Sequence, residues 1–433
     1  MSKKVLIFTY YWPPAGGVAV QRFLKFSKFL PEFGWEPIIV TVNNGSYPYF
    51  DESLLKEVAP ELRVYRTKTF EPFELYNLLR GQKGKTMPLV TVGTHSKKTF
   101  FQKLTEYIRA NFFVPDARKG WVPYAVKQAE EILTTEKIDA IITTGPPHSA
   151  HLIGLKLKEK FGFKWIADFR DPWTGIVYND MLPRTEATQK KDSELETKVL
   201  KTADCTVVIS PGMKEQFEGR AKKIVVIFNG YDESNFLPLS ESISINKKEE
   251  FFTIRYIGNL MASQNPTNLW KAIAELQHTN AAKIKLEFTG RVDTEIQNSI
   301  AAEGLSDITT YNPFTEQQKA INLTHTASLL LFAIFNLPNV KLVITGKIFE
   351  YLASRSEIIS FGPVDGDAAA ILKSVGRKPM IDFNNYSETL NQLQAAYNYW
   401  SQNSHSFKYS DRRFEKFTRR NQAAALAGLL NGI

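Results

Sequence analysis

The 433-residue chain contains very little cysteine and no long apolar run, and both absences limit its class. The one cysteine, Cys205, cannot form a disulfide within the chain, so a reducing, cytoplasmic location is predicted. Its apolar neighbours predict a small core residue rather than a nucleophile. No stretch approaches the roughly 20 apolar residues of a membrane-spanning helix. The apolar run at residues 5–8 is too short for a signal peptide and predicts a first β-strand.

Two recognition motifs are also missing. No Gly-x-Gly-x-x-Gly follows the first strand of either half, which makes a nicotinamide-dependent dehydrogenase the weakest alternative. No RNA- or DNA-binding motif is present, so nucleic acid is not an expected partner. The net charge of +9 is uneven, because ten lysines and arginines face two acidic residues over residues 75–127. This basic segment has two interpretations, a surface that binds the anionic inner face of a membrane and an ordinary solvated face.

What the chain does have is a regular alternation of short β-type runs with segments of helical period. This alternation is typical of parallel sheets covered by helices on both faces, and the length suits two such domains. We therefore predict an α/β protein with two Rossmann-like, doubly wound domains that face a cleft. The predicted domains cover 1–237 and 251–410, with a polar linker at 238–250. A separate amphipathic helix is predicted over 411–430, and residues 411–433 are assigned to the first domain.

The alternation also gives the individual elements. The predicted strands of the two halves are 4–9, 37–42, 63–67, 138–143, 164–169, 205–210 and 224–228, then 252–257, 285–289, 328–332, 357–361 and 379–383. The predicted helices of the second half are 268–277, 316–324, 347–354 and 387–399. Ligands of doubly wound sheets bind at the carboxyl ends of the strands, so the candidate residues are sought there.

In the first half, polar or glycine-rich loops follow three strands. Gly16 and Gly17 stand between a strand and a helix, which predicts either an anion site or a tight turn. His148 and His151 follow another strand end and can bond a sugar hydroxyl or a phosphate, or can be structural. Residues 168–173 place Asp168, Arg170 and Asp171 at the next strand end. These charges can bind hydroxyls and phosphate or can brace the loop internally.

In the second half, Gly258 and Asn259 form the corresponding turn after the first strand. Lys347 and Glu350 begin a later helix, where the carboxylate can bond ribose hydroxyls or can simply favour the helix dipole. The motif Asp365-Gly366-Asp367 has the form of a metal-binding Asp-x-Asp, but a helix N-terminus explains it better. No bound metal or other cofactor is expected.

Taken together, these motifs resemble the GT-B-fold glycosyltransferases of family 4 over essentially the whole chain. The motifs that carry the resemblance are Pro13-Pro14-x-Gly16-Gly17, the 145–151 loop, the 168–173 cluster, 210–212, Asn229-Gly230-x-Asp232, Lys347-x-x-Glu350-Tyr351-Leu352-Ala353 and the 362–367 turn. The resemblance implies a retaining hexosyltransferase that moves sugar from a nucleotide-sugar donor to a glycan or lipid-linked acceptor, in cell-surface polysaccharide synthesis.

The resemblance also implies roles for the candidate residues. Catalysis is assigned to His148 and Asp171, and acceptor binding to His151, Asp168 and Arg170. Donor binding is assigned to Gly16, Gly17, Gly258, Asn259, Arg291, Lys347, Glu350 and Gly366. Within this set, Glu350 matches the carboxylate that holds ribose.

Three positions depart from the family pattern. Leu342 replaces a second glutamate, and Arg355 and Glu357 replace a glycine and a proline. No basic pair follows Gly258, so Arg291 and Lys347 are taken as substitutes at the diphosphate. These departures keep two alternatives open. One is a sugar-nucleotide epimerase of similar fold, and the other is a protein that binds a nucleotide or sugar without catalysis.

Overall fold

A computed structural model describes residues 2–47, 50–71, 107–108, 110–175, 182–236, 250–280 and 283–433. The chain divides into two compact units, and each is described by itself. The first unit consists of Met1–Asn229 and Arg419–Ile433, and the second is Gly230–Thr418. The first boundary therefore lies at Asn229, before the predicted linker at 238–250, most of which is outside the described residues.

The first unit is built on a parallel sheet. Its strands are β1 (Lys3–Phe8), β2 (Trp35–Val42), β3 (Arg63–Thr67), β4 (Ala140–Gly145), β5 (Trp165–Phe169), β6 (Cys205–Val208) and β7 (Ile224–Val226). Their order in the sheet is β3-β2-β1-β4-β5-β6-β7, with parallel pairing throughout. Consecutive strands thus run outward in opposite directions from β1 and β4. The loops that leave these two strands diverge and leave a crevice at the carboxyl edge.

Helices surround this sheet. They are α1 (Val18–Phe29), α2 (Val122–Leu133), α3 (Ala150–Phe161), α4 (Glu186–Thr202), α5 (Pro211–Phe217) and, from the far end of the chain, α12 (Arg419–Asn431). Helix α1 buries one apolar face, since Val20, Phe23 and Phe26 are all at most 1% exposed. The i, i+3 and i+6 spacing puts these three side chains on one side of the helix. Helix α12 joins the same hydrophobic core through Ala423, Leu426 and other apolar residues.

The second unit repeats the architecture on a smaller scale. Its strands are β8 (Phe252–Ile257), β9 (Ile284–Thr289), β10 (Thr309–Asn312), β11 (Leu329–Ala333) and β12 (Ile358–Phe361), in the order β10-β9-β8-β11-β12. Its helices are α6 (Thr267–Asn280), α7 (Thr294–Ala302), α8 (Gln317–His325), α9 (Lys347–Ala353), α10 (Asp367–Ser374) and α11 (Tyr386–Asn403). All pairs are parallel, so the crevice of this unit lies beyond the carboxyl ends of β8 and β11.

The predicted fold class, two doubly wound Rossmann-like domains with a C-terminal helix that returns to the first, is confirmed. Three local predictions were wrong. Residues 379–383 form only a single bridge, Phe361 to Ile381, and the short exposed strand β10 was missed. The predicted helix 411–430 begins at Arg419, because Phe414 and Phe417 are buried in the second unit instead.

Two further expectations bear on membranes. Most of the basic segment 75–127 lies outside the described residues. Among the residues that the structure does describe, none of the helices combines the length and the apolar character needed to span a bilayer.

Candidate functional site

The first-unit crevice begins with the turn at Gly16 and Gly17, between β1 and α1. Gly17 has φ +100°, in the region where a side chain is strained, so glycine is required for this entry into the helix. Within the described part of the chain, no side chain caps the N-terminus of this helix. The positive end of a 12-residue helix thus meets the crevice, which suits an anion such as a phosphate.

Asp168, at the end of β5, is committed to partners inside the unit. It is 1% exposed and forms an ion pair with Arg22 of α1, with 2.7 Å between Arg22 Nη2 and Asp168 Oδ1. Thr144 Oγ1 donates to its other oxygen at 2.7 Å. Both carboxylate oxygens are therefore used within the protein, and this side chain braces the sheet edge rather than meeting an acceptor.

Arg170 is a second internal brace. Its Nη1 donates to the carbonyl oxygen of Ala19 at 2.9 Å, and its Nη2 donates to the carbonyl oxygen of Pro146. The side chain is only 8% exposed. Arg170 therefore links the loop after β4 to the first turn of α1. Its positive charge is buried beneath the crevice.

His151 lies in α3 and is completely buried. Its Nδ1 is 2.9 Å from Thr143 Oγ1, and its ring stacks on Phe169 with 4.3 Å between ring centroids. Burial lowers the pKa of His151 well below its usual range, and the neighbouring His148 and Arg170 lower it further. The ring is neutral and has no surface to offer an acceptor. The predicted acceptor-binding set of His151, Asp168 and Arg170 is thus a group of buried side chains that hold the loops.

His148, by contrast, is half-buried in the loop after β4, two residues before α3. Its ring stacks on Trp173, with 5.2 Å between centroids and 9° between planes. Burial lowers the pKa of His148 to about 3 and the Arg170 charge adds to this, whereas a backbone hydrogen bond at Pro172 opposes it. Near neutral pH the ring is uncharged. It can donate or accept one hydrogen bond at a substrate oxygen but cannot supply a positive charge.

The loop after β5 owes its shape to acidic residues on α4. Trp173 Nε1 donates to Asp192 Oδ1 at 2.7 Å, and Asp192 in turn pairs with Arg184 at 2.6 Å. One turn on, Glu196 accepts from the hydroxyl of Thr174 at 2.8 Å. These buried carboxylates fix Trp173, and Trp173 fixes the His148 ring.

Asp171 is the one carboxylate of the 168–173 cluster that faces outward. The residue is exposed, yet the protein packed around its carboxyl raises its pKa to about 6, while the Arg170 charge lowers it. Its exposure leaves the Asp171 carboxyl open to an acceptor hydroxyl, and a raised pKa is common among catalytic carboxyl groups.

The second-unit crevice is lined by two glycines that end neighbouring strands. Gly258, after β8, and Gly290, after β9, have φ +110° and +116°. A Cβ on Gly290 would lie 2.6 Å from the Gly258 carbonyl oxygen, and a Cβ on Gly258 would lie 2.8 Å from Lys347 Nζ. Only glycine lets these turns approach each other and the lysine so closely.

Lys347 is held over this turn from the first residue of α9. Its Nζ donates to Tyr256 Oη at 2.6 Å, and that hydroxyl donates to the Asn259 carbonyl oxygen at 2.7 Å. Burial lowers the pKa of Lys347 to about 8, and the nearby Glu350 carboxylate opposes this. Lys347 therefore presents a cation at the carboxyl edge of the sheet. Glu350 is half-buried one helical turn later.

The remaining donor candidates are Arg291 and Gly366. Arg291 is exposed, and Gly366 is the buried residue from which α10 begins.

The two acids of the Asp-x-Asp motif flank Gly366. Asp365 pairs with Lys341 at the surface, and Asp367 is the first residue of α10. Both acids thus stand at a helix end. Among the described residues, no group of three or more His, Cys, Asp or Glu side chains is arranged to hold a metal.

The three departures from the family pattern have distinct settings. Arg355 has φ +62°, so it keeps a left-handed conformation that glycine adopts more easily. Glu357 is buried and accepts from the Tyr409 hydroxyl at 3.0 Å, which gives it an internal partner. Leu342 is half-buried in the segment between β11 and α9.

Sequence reasoning missed several residues that hold the site. Arg22 was visible only as a charge within the apolar stripe of α1, and such a charge signals a buried partner. Asp192 and Glu196 look like ordinary surface acids of a polar helix. Tyr256 lies inside a strand, where its hydroxyl gives no sequence signal.

Comparison with known proteins agrees with this architecture. Residues 74–235 match the family Glycosyltransferase Family 4. A glycosyltransferase from Rickettsia africae has 14% identity and TM-score 0.62, with 100% of this chain and 98% of that one covered. Sucrose-phosphate synthase from Thermosynechococcus elongatus has 14% identity and TM-score 0.58, with 99% and 98% covered. The Anabaena protein HepE, in complex with UDP and glucose, has 13% identity and TM-score 0.57, with 100% of both chains covered.

No curated protein sequence matches the chain. The two parallel sheets and their structural neighbours show that the chain has the GT-B fold. The match over 74–235 makes that part of the chain similar to glycosyltransferase family 4.

Proposed function

We propose that the chain transfers a hexosyl group from a nucleotide sugar to a glycan or lipid-linked acceptor, with retention of anomeric configuration. The observation that carries the proposal is the position of Lys347. Its ammonium group lies against the Gly258 turn, and Glu350 follows one helical turn later. The cation and the glycine turn suit a diphosphate, and the nearby carboxylate suits the ribose hydroxyls of the same nucleotide.

The second unit supplies the proposed donor site. Lys347 attracts the diphosphate as a point charge, and the absence of a side chain at Gly258 lets phosphate oxygens approach the backbone. Glu350 accepts hydrogen bonds from the ribose hydroxyls. Arg291 lies on the exposed side of the adjacent turn, where it adds positive charge.

The first unit supplies the proposed acceptor and catalytic groups. Asp171, when ionised, accepts a hydrogen bond from the acceptor hydroxyl and orients it. His148, neutral because of its lowered pKa, donates to a sugar or phosphate oxygen. The N-terminus of α1 at Gly17 stabilises negative charge on the departing phosphate. No step requires a bound metal.

The relatives support the donor class. HepE is seen with UDP and glucose, and another protein of the same fold, from E. coli, is bound with UDP-2-fluoro glucose. At such low identity they share the fold alone, so the base and the sugar are left to experiment.

The proposal is tested in two stages. A thermal-shift panel of nucleotide sugars identifies the donor, because a ligand that binds the folded state raises the melting temperature. Transfer is then measured with glycan and lipid-linked acceptors, and the anomeric configuration of the product is read by NMR. Epimerised donor without acceptor would favour the epimerase. Binding without turnover across all acceptors would favour a non-catalytic protein.

We further propose a cytoplasmic protein that works at the inner face of a membrane in cell-surface polysaccharide synthesis. The excess of basic residues over 75–127 supports this, since each suitably placed Lys or Arg contributes about 1 kcal/mol at an anionic surface. Co-sedimentation with anionic and neutral vesicles at low and high salt tests it. Negligible binding to both kinds of vesicle would contradict the proposal of membrane binding and favour a soluble acceptor.

A further inference from the structure

Two buried imidazole nitrogens without partners point at one small space beside Gly145, the last residue of β4. A Cβ on Gly145 would lie 2.7 Å from His151 Nε2 and 2.9 Å from His148 Nδ1. Neither nitrogen has a hydrogen-bond partner among the described residues. Leaving a buried polar atom unpaired is costly, so two of them at one point call for a shared interaction.

The partners of His151 determine which of its nitrogens carries the proton. Trp165 Nε1, which can only donate, donates to Thr143 Oγ1 at 2.9 Å. The Thr143 hydroxyl also lies 2.9 Å from His151 Nδ1. If Nδ1 were the donor here, the buried hydroxyl hydrogen would have no acceptor among the described contacts. The hydroxyl therefore donates to Nδ1, and the neutral ring carries its proton on Nε2, the nitrogen that faces Gly145.

His151 cannot itself meet a substrate. It is completely buried, and Phe169 covers one face of its ring. Its one unengaged polar atom is the Nε2 that shares the Gly145 space with His148. Any effect of His151 on the reaction must therefore pass through His148.

We propose that His151 is a positioning residue that fixes the tautomer of His148. One water molecule between the two rings accepts from His151 Nε2–H and donates to His148 Nδ1. The proton of the His148 ring then resides on Nε2, and this nitrogen becomes a hydrogen-bond donor of fixed direction. The assignment of the ring protons does not depend on the proposed function. Only the contact between His148 Nε2–H and a substrate oxygen rests on it.

The absence of a side chain at Gly145 is part of this arrangement. A methyl group there would take the space that the two nitrogens share, and it would contact both within 3 Å. The His148 ring stacks on Trp173, which restricts the tilt of its plane.

Neutron diffraction of the unmodified chain tests the proton positions without any substitution. The expected result is a proton on Nε2 of both His151 and His148 and none on Nδ1 of either ring. A proton on His148 Nδ1 would overturn the proposal. This measurement does not depend on turnover, so a chain that transfers no sugar but shows these protons would sink the proposed function alone.

A pair of threonine variants tests the consequence for the reaction. Thr143→Val removes the hydroxyl that orients His151, and it should lower kcat by about tenfold while KM for the donor is unchanged, as expected for one lost hydrogen bond. The matched control is Thr206→Val on β6, because the Thr206 hydroxyl is also buried but has no hydrogen-bond partner among the described residues. Equal kcat values in the two variants would contradict the proposal.

Substitution of His151 itself gives an independent comparison if Thr143→Val does not fold. His151→Gln keeps an amide donor that can reach the Gly145 space, whereas His151→Phe keeps only the stacking on Phe169. We expect His151→Gln to retain more activity at equal melting temperature. Higher activity in His151→Phe would contradict the proposal.

Discussion

Arg22 and Asp168 form an ion pair that is sealed from solvent, with side chains 1% and 2% exposed and 2.7 Å between Arg22 Nη2 and Asp168 Oδ1. Arg22 also donates to the Phe228 carbonyl oxygen at 3.0 Å. One guanidinium thus joins α1 to the end of β5 and to the last residues before the unit boundary.

Removal of one partner of this pair should destabilise the first unit strongly. Arg22→Met would leave the Asp168 carboxylate buried without its cation, and we expect a loss of about 3–5 kcal/mol in the free energy of unfolding. Urea denaturation measures this loss. The control is Arg420→Met, which breaks an exposed pair with Glu32 and should cost less than about 1 kcal/mol. Similar losses in both variants would contradict a stabilising role for the ion pair between Arg22 and Asp168.

Glu350→Gln should weaken nucleotide binding. The amide keeps the size of the side chain but loses the charge that strengthens hydrogen bonds to ribose, so we expect a loss of about 1.5–3 kcal/mol. Titration calorimetry with the donor identified above measures it. Asp365→Asn, a surface carboxylate paired with Lys341 in the same unit, should leave the affinity unchanged. Unaltered affinity in Glu350→Gln would reduce Glu350 to a helix-end charge.

Nucleotide affinity should fall as the pH rises through about 8. Burial lowers the pKa of Lys347 to about 8, so its ammonium group is charged below that pH and neutral above it. The neutral amine attracts the diphosphate less, and we expect affinity to drop about tenfold between about pH 6.5 and pH 9.5. Lys347→Met should abolish this dependence. A variant that titrates as the wild type does would rule Lys347 out of the donor site.

The rate at saturating donor should fall as the pH drops through about 6. The pKa of Asp171 is raised to about 6, so its carboxyl becomes protonated below that pH and can no longer accept from the acceptor hydroxyl. His148, with its pKa lowered to about 3, contributes no inflection in this range. A kcat profile should therefore show one acidic inflection that Asp171→Asn removes. Persistence of the inflection in that variant would assign it to another group.

Activity should survive chelation. Asp365 and Asp367 stand at the start of α10, where Asp365 already pairs with Lys341, so we expect EDTA to leave the rate unchanged. Assays with EDTA, with and without added Mg²⁺ or Mn²⁺, measure this. Complete loss of activity that either ion restores would show that the Asp-x-Asp motif holds a metal.

The fold was predictable because buried parallel strands appear in the sequence as short runs of apolar residues. Runs such as those of β1 and β4 are apolar on both faces, and helices such as α1 alternate with them. Strand β10 has no such apolar run, since its four residues are polar or exposed. The start of α12 was misplaced because tertiary contacts, not propensity, pull Phe414 and Phe417 into the second unit.

The sequence predicted where the candidate loops lie in the fold better than it predicted the surroundings of each side chain. Every candidate loop lies at the carboxyl edge of its sheet, as the position of each motif after a strand predicted. Sequence could not separate Asp171, which is exposed, from Asp168, which is sealed by Arg22 from a distant helix. Likewise His148 and His151 stand three residues apart, yet only contacts with Thr143 and Trp173 show that one is buried and the other accessible.

The return of α12 to the first unit has a consequence for how the protein is made. A ribosome completes the second unit, Gly230–Thr418, before it produces the helix that finishes the first. Until then, the apolar surface that Leu426 and Ala427 will cover is open, and the Phe228 amide lacks the Gln422 side chain that accepts its hydrogen. The first unit thus lacks this helix while the 189 intervening residues, from Gly230 to Thr418, are made, and the part of its core that α12 covers is exposed throughout that interval. Chaperone demand during synthesis should therefore centre on the earlier of the two units.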